Sequence, residues 1–320
     1  MSNSKLRLGL ILQPDFYILE KSVCAITNPL IRALTKRFQT TLIYNQETYD
    51  QHCQHVDFLL SLEPKWAAPV LDWQRVGRFR KKLPACPCYV MMSDPHSEQW
   101  RESYFLTNNL DYILALYYAP TCYHFKKTPL DRICHYPWAI PDEWVSTSRI
   151  EYRGQKEVTI FGASGSNAYS TRNWCRKQKG VKSFAFSGVE NKEMSDSDFF
   201  QWLASFDAVV AAGSEDKKYG LTTPKYFETM AVGSLLFAQK TDDLERLGLK
   251  DNDNCIVFSE ENFLKRLNEY LTDPGNQQWL QIRSLGRALI ERKHTINIRL
   301  DSLETHVRQW HSGELGAKRS

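Results

Sequence analysis

The residues with the most chemistry at helical spacing lie in Thr222-Thr-Pro-Lys-Tyr-Phe-Glu-Thr-Met-Ala-Val-Gly233. Thr223 can cap a helix whose first position is Pro224, where the missing N–H costs nothing. Phe227, Met230 and Ala231 then form a core-facing stripe, and Gly233 stops the helix ahead of an apolar run. On the other side Lys225 and Glu228, three apart, lie together. Free backbone N–H groups at Thr222, Thr223 and Lys225, with Tyr226 at the same end and the Lys225 ammonium, suit a diphosphate. Glu228, a turn deeper, suits ribose hydroxyls, which donate to a carboxylate. A surface Lys–Glu pair on an ordinary helix has the same spacing, and the pattern alone leaves both readings open.

A second segment, Gly162-Ala-Ser-Gly-Ser-Asn-Ala-Tyr-Ser-Thr-Arg172, follows a strand-like run. Gly162 and Gly165 let backbone approach a phosphate, and Ser164, Ser166 and Asn167 add donors, with Arg172 beyond them. The loop lacks the Gly-Lys-Ser/Thr of a P-loop and the spacing of GxGxxG, and it also fits a plain strand-to-helix turn. Phe186-Ser187-Gly188 ends the next strand, where Ser187 and Gly188 can border a base. In the N-terminal half, Asp94 and His96 of Ser-Asp-Pro-His follow a buried strand, at the edge where open α/β sheets do chemistry. There Asp94 can act on an acceptor hydroxyl and His96 can orient a leaving group, with a structural turn as the alternative. Gln13-Pro-Asp15 is a weaker candidate at the analogous edge, and His135 reads as a packed linker residue. Asp196-Ser-Asp198 and Asp251-Asn-Asp253 match a metal-binding DxD by letters only, because neither ends an apolar strand. No metal is expected.

The elements that must position these groups alternate. Leu6–Leu12, Thr41–Tyr44, Val56–Leu62, Cys88–Met92 and Tyr112–Leu116 predict buried strands, with helices over Asn28–Phe38, Gln46–Gln54 and Pro69–Lys82. Tyr136-Pro-Trp-Ala-Ile-Pro predicts an extended break. The pattern restarts with strands at Glu157–Phe161, Ser183–Phe186, Asp207–Ala211, Leu235–Ala238 and Cys255–Phe258, and a helix capped by Ser259. Ile296, Leu300, Leu303, Val307 and Trp310 then mark an amphipathic helix after Thr295. Such alternation implies parallel sheets flanked by helices.

The 320 residues allow two ordinary domains, and 42% hydrophobic with 24% charged residues is a globular profile. A net charge of +4 from dispersed residues gives no basis for nucleic-acid binding. The basic cluster Arg75, Arg78, Arg80, Lys81, Lys82 reads as a solvated helix face, with contact to an anionic acceptor or a membrane surface left open. No apolar run approaches the roughly 20 residues of a membrane span, and no signal-peptide core precedes the first strand. The 8 cysteines, scattered without a CxxC pair, point to reduced thiols and a cytoplasmic protein.

The Pro224–Phe237 segment resembles the C-terminal signature of group 1 glycosyltransferases, and in particular their CgeB-like, spore-maturation-protein-like branch. A proline, a basic residue, Phe-Glu-x-Met-Ala-x-Gly and a buried strand occur in that order. Leu244, Gly248, Asp253-Asn254, Gly286-Arg287, His294-Thr295 and Arg299 continue it, and Tyr169 and Arg172 match upstream. The resemblance implies a GT-B fold, two Rossmann-like domains with a C-terminal helix crossing back to the first. Residues 1–143 would form the acceptor domain, 144–294 the donor domain and 295–320 the crossover helix and tail. It further implies a retaining, metal-independent glycosyltransferase with no cofactor. The implied co-substrate is a nucleotide-sugar, UDP-sugar ahead of GDP-sugar, and the acceptor is left open among glycan, protein and small molecule. Glu228 would hold the donor ribose. Many group 1 members carry a further Glu where this chain has Gly220, so a non-catalytic nucleotide- or sugar-binding protein is the alternative, ahead of an epimerase.

Overall fold

The computed structural model describes residues 4–12, 27–62, 85–96, 100–184 and 194–315. The expected helix Pro69–Lys82 with its basic cluster, Gln13-Pro-Asp15, Cys24, Phe186-Ser187-Gly188 and the last five residues lie outside the described residues. The chain divides into two compact units: one holds Thr27–Tyr136 with the first strand and the residues from Asn297 on, the other Pro137–Ile296.

The first unit follows the order β1 (Arg7–Ile11), α1 (Thr27–Arg37), β2 (Gln39–Ile43), α2 (Gln46–His52), β3 (Phe58–Ser61), β4 (Cys88–Met92), α3 (Trp100–Thr107), β5 (Tyr112–Ala115), α4 (Tyr118–His124) and β6 (Ile133–His135). The strands form one sheet in the order β2-β1-β3-β4-β5-β6, and every pairing between them is parallel. The central strands β3, β4 and β5 are buried at every residue, as parallel strands covered on both faces must be. At the edge, β2 is mostly half-exposed.

The second unit runs β7 (Val158–Phe161), α5 (Ser170–Cys175), β8 (Val181–Phe184), α6 (Asp196–Ala204), β9 (Ala208–Ala211), α7 (Pro224–Ala231), β10 (Leu235–Gln239), α8 (Leu244–Leu247), β11 (Ile256–Phe258), α9 (Phe263–Thr272) and α10 (Gln277–Lys293). Its parallel sheet has the order β11-β10-β9-β7-β8. Alternation splits the strands between two cores. Val158, Ile160, Val210 and Phe237 face α9 and Trp279, whereas Phe161, Val209 and Leu236 face Phe199, Phe227 and Met230. Chain order reverses between β7 and β9, and at such a switch point the loops leaving the two strands diverge and open a crevice.

Helix α11 (Ile296–Ser312) continues from the second unit but belongs with the first from Asn297 on. Its predicted stripe is buried at Leu300, Leu303 and Val307. On this helix His306 Nδ1 lies 2.8 Å from Tyr89 Oη, its Nε2 3.5 Å from Cys134 Sγ and its ring centroid 4.6 Å from that of Tyr112. Arg37 pairs with Glu304 at 2.8 Å and Asp301 at 2.5 Å.

Three expectations needed correction. His135 is no linker residue, because Ile133-Cys-His135 is the sixth strand, too short to show a period. Helices α3 and α4 were not anticipated; α4 has Pro120 in its first turn, where proline lacks no needed donor. Asn262 rather than Ser259 precedes α9, and its side-chain oxygen accepts the Ser259 N–H at 2.9 Å. Among the described residues all seven cysteines are free, and no helix is long and apolar enough to cross a membrane.

Candidate functional site

The loops at the β7/β9 switch point bring the two chemistry-bearing segments together. Strand β7 ends at Phe161, and Gly162 turns the chain with φ +105°, a conformation that disfavours a side chain. A Cβ there would lie 2.9 Å from Lys225 Cε, 3.0 Å from Lys225 Nζ and 3.2 Å from Arg172 Nη1. Gly162 is thus where the loop, α7 and α5 converge. The Lys225 ammonium lies 5.0 Å from the centroid of the Phe161 ring.

Beyond Gly162, residues Ser164, Gly165, Ser166 and Asn167 are exposed. An added Cβ on Gly165 meets only open space. The Ser166 hydroxyl accepts the Ala168 N–H at 3.0 Å, starting a short 3-10 turn at Asn167. Arg172 plays a different part from the one expected. It is buried, and its guanidinium donates to Ala212 O at 2.8 Å and Ala163 O at 2.9 Å. These bonds stitch the loops after β7 and β9, so Arg172 shapes the site through its carbonyl partners.

Helix α7 presents its N-terminus to the same region. Thr223 is the N-cap by backbone position, yet its side chain makes no capping bond, contrary to expectation. The hydroxyls of Thr222 and Thr223 are both buried and meet no hydrogen-bonding partner in the protein. A buried hydroxyl left unmade costs about 1–3 kcal/mol, which a ligand's acceptor atoms can offset. At the other end the helix stops as predicted: Gly233 has φ +74° and donates to Met230 O at 3.0 Å. Gly286 lets α10 lie against α7, since a Cβ there would be 3.3 Å from Met230 Cγ.

Two further side chains depart from the helical-wheel reading. Tyr226, expected among the donor contacts, is fully buried in the core, and its hydroxyl donates to Gln239 O at 3.1 Å. It supports the helix from beneath. Glu228, expected on an open face, is only 4% exposed. Burial pushes its carboxyl up from 4.5 to about 7, against the pull of the Lys225 charge.

Sequence reasoning missed Gln239. Its Oε1 accepts the Gly213 N–H at 2.6 Å, and its Nε2 donates to Thr171 Oγ1 at 3.3 Å. The Thr171 hydroxyl in turn donates to Glu260 Oε1 at 2.6 Å. A buried amide thus ties together the ends of β9 and β10 and the first turn of α5. The available signal was a polar residue closing the apolar run Leu235–Ala238.

In the first unit, Asp94 sits beyond β4 with φ +41°. Burial lowers the His96 imidazole below its ordinary value, and the Asp94 carboxylate opposes this. The two DxD matches have structural partners. Ser195 Oγ accepts the Asp198 N–H at 3.2 Å at the start of α6, and Asp251 accepts the Val257 N–H at 2.8 Å. Ser187 and Gly188 lie outside the described residues.

Solved structures with similar folds cover nearly the whole chain. HepE of Anabaena, solved in complex with UDP-glucose, is 13% identical with a TM-score of 0.63, over 94% of this chain and 99% of that one. Sucrose-phosphate synthase of Thermosynechococcus elongatus is 9% identical with a TM-score of 0.65, over 97% and 100%. A glycosyltransferase of Rickettsia africae is 11% identical with a TM-score of 0.58, over 99% and 100%. The shared fold is GT-B, two parallel-sheet α/β units of Rossmann type. No curated protein matches the sequence. The model of the family described as "Glycosyl transferase-like" matches residues 144–305, just over half of the chain, and takes in the Gly162 loop, α7 and Glu228. By that match this chain is a member of the glycosyl transferase-like family.

Proposed function

We propose that the protein transfers a sugar from a nucleotide-sugar, a UDP-sugar before a GDP-sugar, with retention of configuration and without a metal ion. The observation that carries this reading is the buried Glu228 carboxyl beside Lys225, one turn inside a helix whose N-terminal Thr222 and Thr223 hydroxyls lack protein partners. Glu228 accepts the ribose hydroxyls. Lys225, the α7 N-terminus, Thr222, Thr223 and the Gly162–Asn167 loop receive the diphosphate. As the glycosidic bond breaks, charge grows on the diphosphate, and the Lys225 ammonium stabilises it where other transferases use a metal. Uracil as the donor's base is supported by the UDP-glucose bound in HepE of Anabaena. Residues 144–294 hold the donor, while residues 1–143 supply the acceptor side through Asp94 and His96. The CgeB-like branch and a cytoplasmic location complete the reading.

Release of free nucleotide from a panel of UDP- and GDP-sugars tests it, with and without EDTA. Turnover of a UDP-sugar that persists in EDTA is the expected result. Activity lost in EDTA and restored by manganese would refute the metal-free mechanism. UDP binding without turnover of any donor or acceptor would favour a binding protein, the reading that Gly220 in place of the upstream Glu keeps in play.

A further inference from the structure

Three side chains of α5 and the residue that ends it donate to three consecutive carbonyls of the Gly162 loop. Arg176, just past α5, donates from Nη2 to Gly162 O. Arg172 Nη1 donates to Ala163 O at 2.9 Å, and Asn173 Nδ2 to Ser164 O at 2.9 Å. Arg176 and Asn173 are themselves joined, since Arg176 Nη1 donates to Asn173 Oδ1 at 3.1 Å. Arg172 is buried and the other two are half-buried. One short stretch of helix therefore draws the oxygens of three successive peptide units to itself.

Peptide geometry carries this to the other side of the loop. A trans peptide points its N–H opposite to its C=O, and among the described residues no peptide bond is cis. With the carbonyls of Gly162, Ala163 and Ser164 turned to α5, the N–H groups of Ala163, Ser164 and Gly165 are turned away from it. Successive N–H groups on one side of a turn form the backbone concavity that binds anions. Among the described residues none of these three N–H groups donates to a protein acceptor. Ser164 and Gly165 are exposed, and a Cβ on Gly165 would meet only open space, so an oxyanion has room beside them. Lys225 stands at the head of the row, its Nζ 3.0 Å from where a Gly162 Cβ would lie.

We propose that Asn173 and Arg176 are positioning residues for the donor's diphosphate. With Arg172 they hold the loop so that the N–H groups of Ala163, Ser164 and Gly165 converge on one anion. Neither side chain meets the phosphates, and each acts through a carbonyl. Donation from the Arg176 guanidinium also polarises the Gly162–Ala163 peptide, which makes the Ala163 N–H a stronger donor. The inference rests on the donor reading and adds to it the residues that shape its phosphate side.

Isothermal titration of the full chain with UDP, uridine and inorganic pyrophosphate tests this, because uridine keeps the base and ribose of UDP without its phosphates. Wild type should bind UDP at least about tenfold more tightly than uridine. Arg176→Met should weaken UDP about tenfold and Asn173→Ala about threefold, the range of one hydrogen bond, with uridine unchanged. Asn173 is uncharged, so its effect is no direct attraction for phosphate. Arg176→Lys, whose ammonium can still donate to Gly162 O, should regain most of the lost UDP affinity. Uridine affinity and the thermal midpoint report the fold of each variant. Variants that keep the wild-type preference for UDP over uridine, or that weaken both ligands equally, overturn the positioning role and leave the donor reading intact. So does a wild type that binds UDP no more tightly than uridine. Pyrophosphate bound by a protein that ignores UDP and uridine, and weakened in both variants, retains the anion site and removes the donor reading. A wild type that binds none of the three overturns both.

Discussion

Replacing Glu228 by Gln separates the cost of burying a carboxyl from its use in holding a donor. The free protein keeps this carboxyl at about 7 rather than 4.5, so holding it ionised costs the fold roughly 3 kcal/mol. The folded value lies above the unfolded one. Below pH 4.5 the group is protonated in both states and contributes nothing. As pH rises from 4.5 to 7 the unfolded chain releases a proton that the folded chain keeps, and stability falls; above 7 the loss is complete. Glu228→Gln removes the titrating group. Without ligand it should equal the wild type at acid pH and exceed it by up to roughly 3 kcal/mol at pH 8, read by urea denaturation. Donor binding should move the other way. If only the ionised carboxyl accepts ribose hydroxyls, wild-type UDP affinity should rise about tenfold between pH 6 and 8, and the Gln variant should lack that rise. The difference between the two proteins removes the titration of the UDP phosphate itself. At pH 8 the variant should bind UDP more weakly by about 1.5–3 kcal/mol. A variant less stable than wild type at pH 8, or one with an unchanged pH profile for UDP, would show that Glu228 is an ordinary buried acid.

Lys225→Ala should depress turnover about 10²-fold or more while changing donor affinity less, in steady-state kinetics with a UDP-sugar. A loss confined to KM would mean that the ammonium binds ground and transition states alike. Gly162→Ala places a methyl 2.9 Å from Lys225 Cε at φ +105°, so it should displace the lysine and weaken UDP binding; unchanged affinity would remove the loop from the donor site. Tyr226→Phe deletes only the bond to Gln239 O, and should cost about 1 kcal/mol of stability with donor kinetics unchanged. A large rise in KM for that variant would return Tyr226 to the site lining.

What was legible in the sequence follows from what leaves a periodic trace. Strands β4 and β10 read cleanly because parallel strands buried on both faces are unbroken apolar runs, and the α11 stripe read cleanly because every fourth or third residue is apolar. The Lys225–Glu228 pairing followed from helical geometry. The burial of Glu228 and Tyr226 did not, because α7 packs against α10 and the sheet on more than one side, and a wheel of eight residues does not show how much of it is covered. Arg172 reads equally as a phosphate ligand or a strut until the carbonyls of Ala163 and Ala212 are seen in front of it. The role of Gln239 depends on loops distant in sequence, a relation that no local pattern encodes.

The first unit is assembled from two stretches of chain with the whole of Pro137–Ile296 made between them. During synthesis the strands of its sheet are therefore made first, and the surface around Tyr89 and Tyr112 that later receives α11 stays uncovered until residues 137–296 have been added. Non-local closure of this kind is slow, and uncovered apolar surface invites association with other chains. The helix that completes the first unit is thus made only after the whole of the second unit.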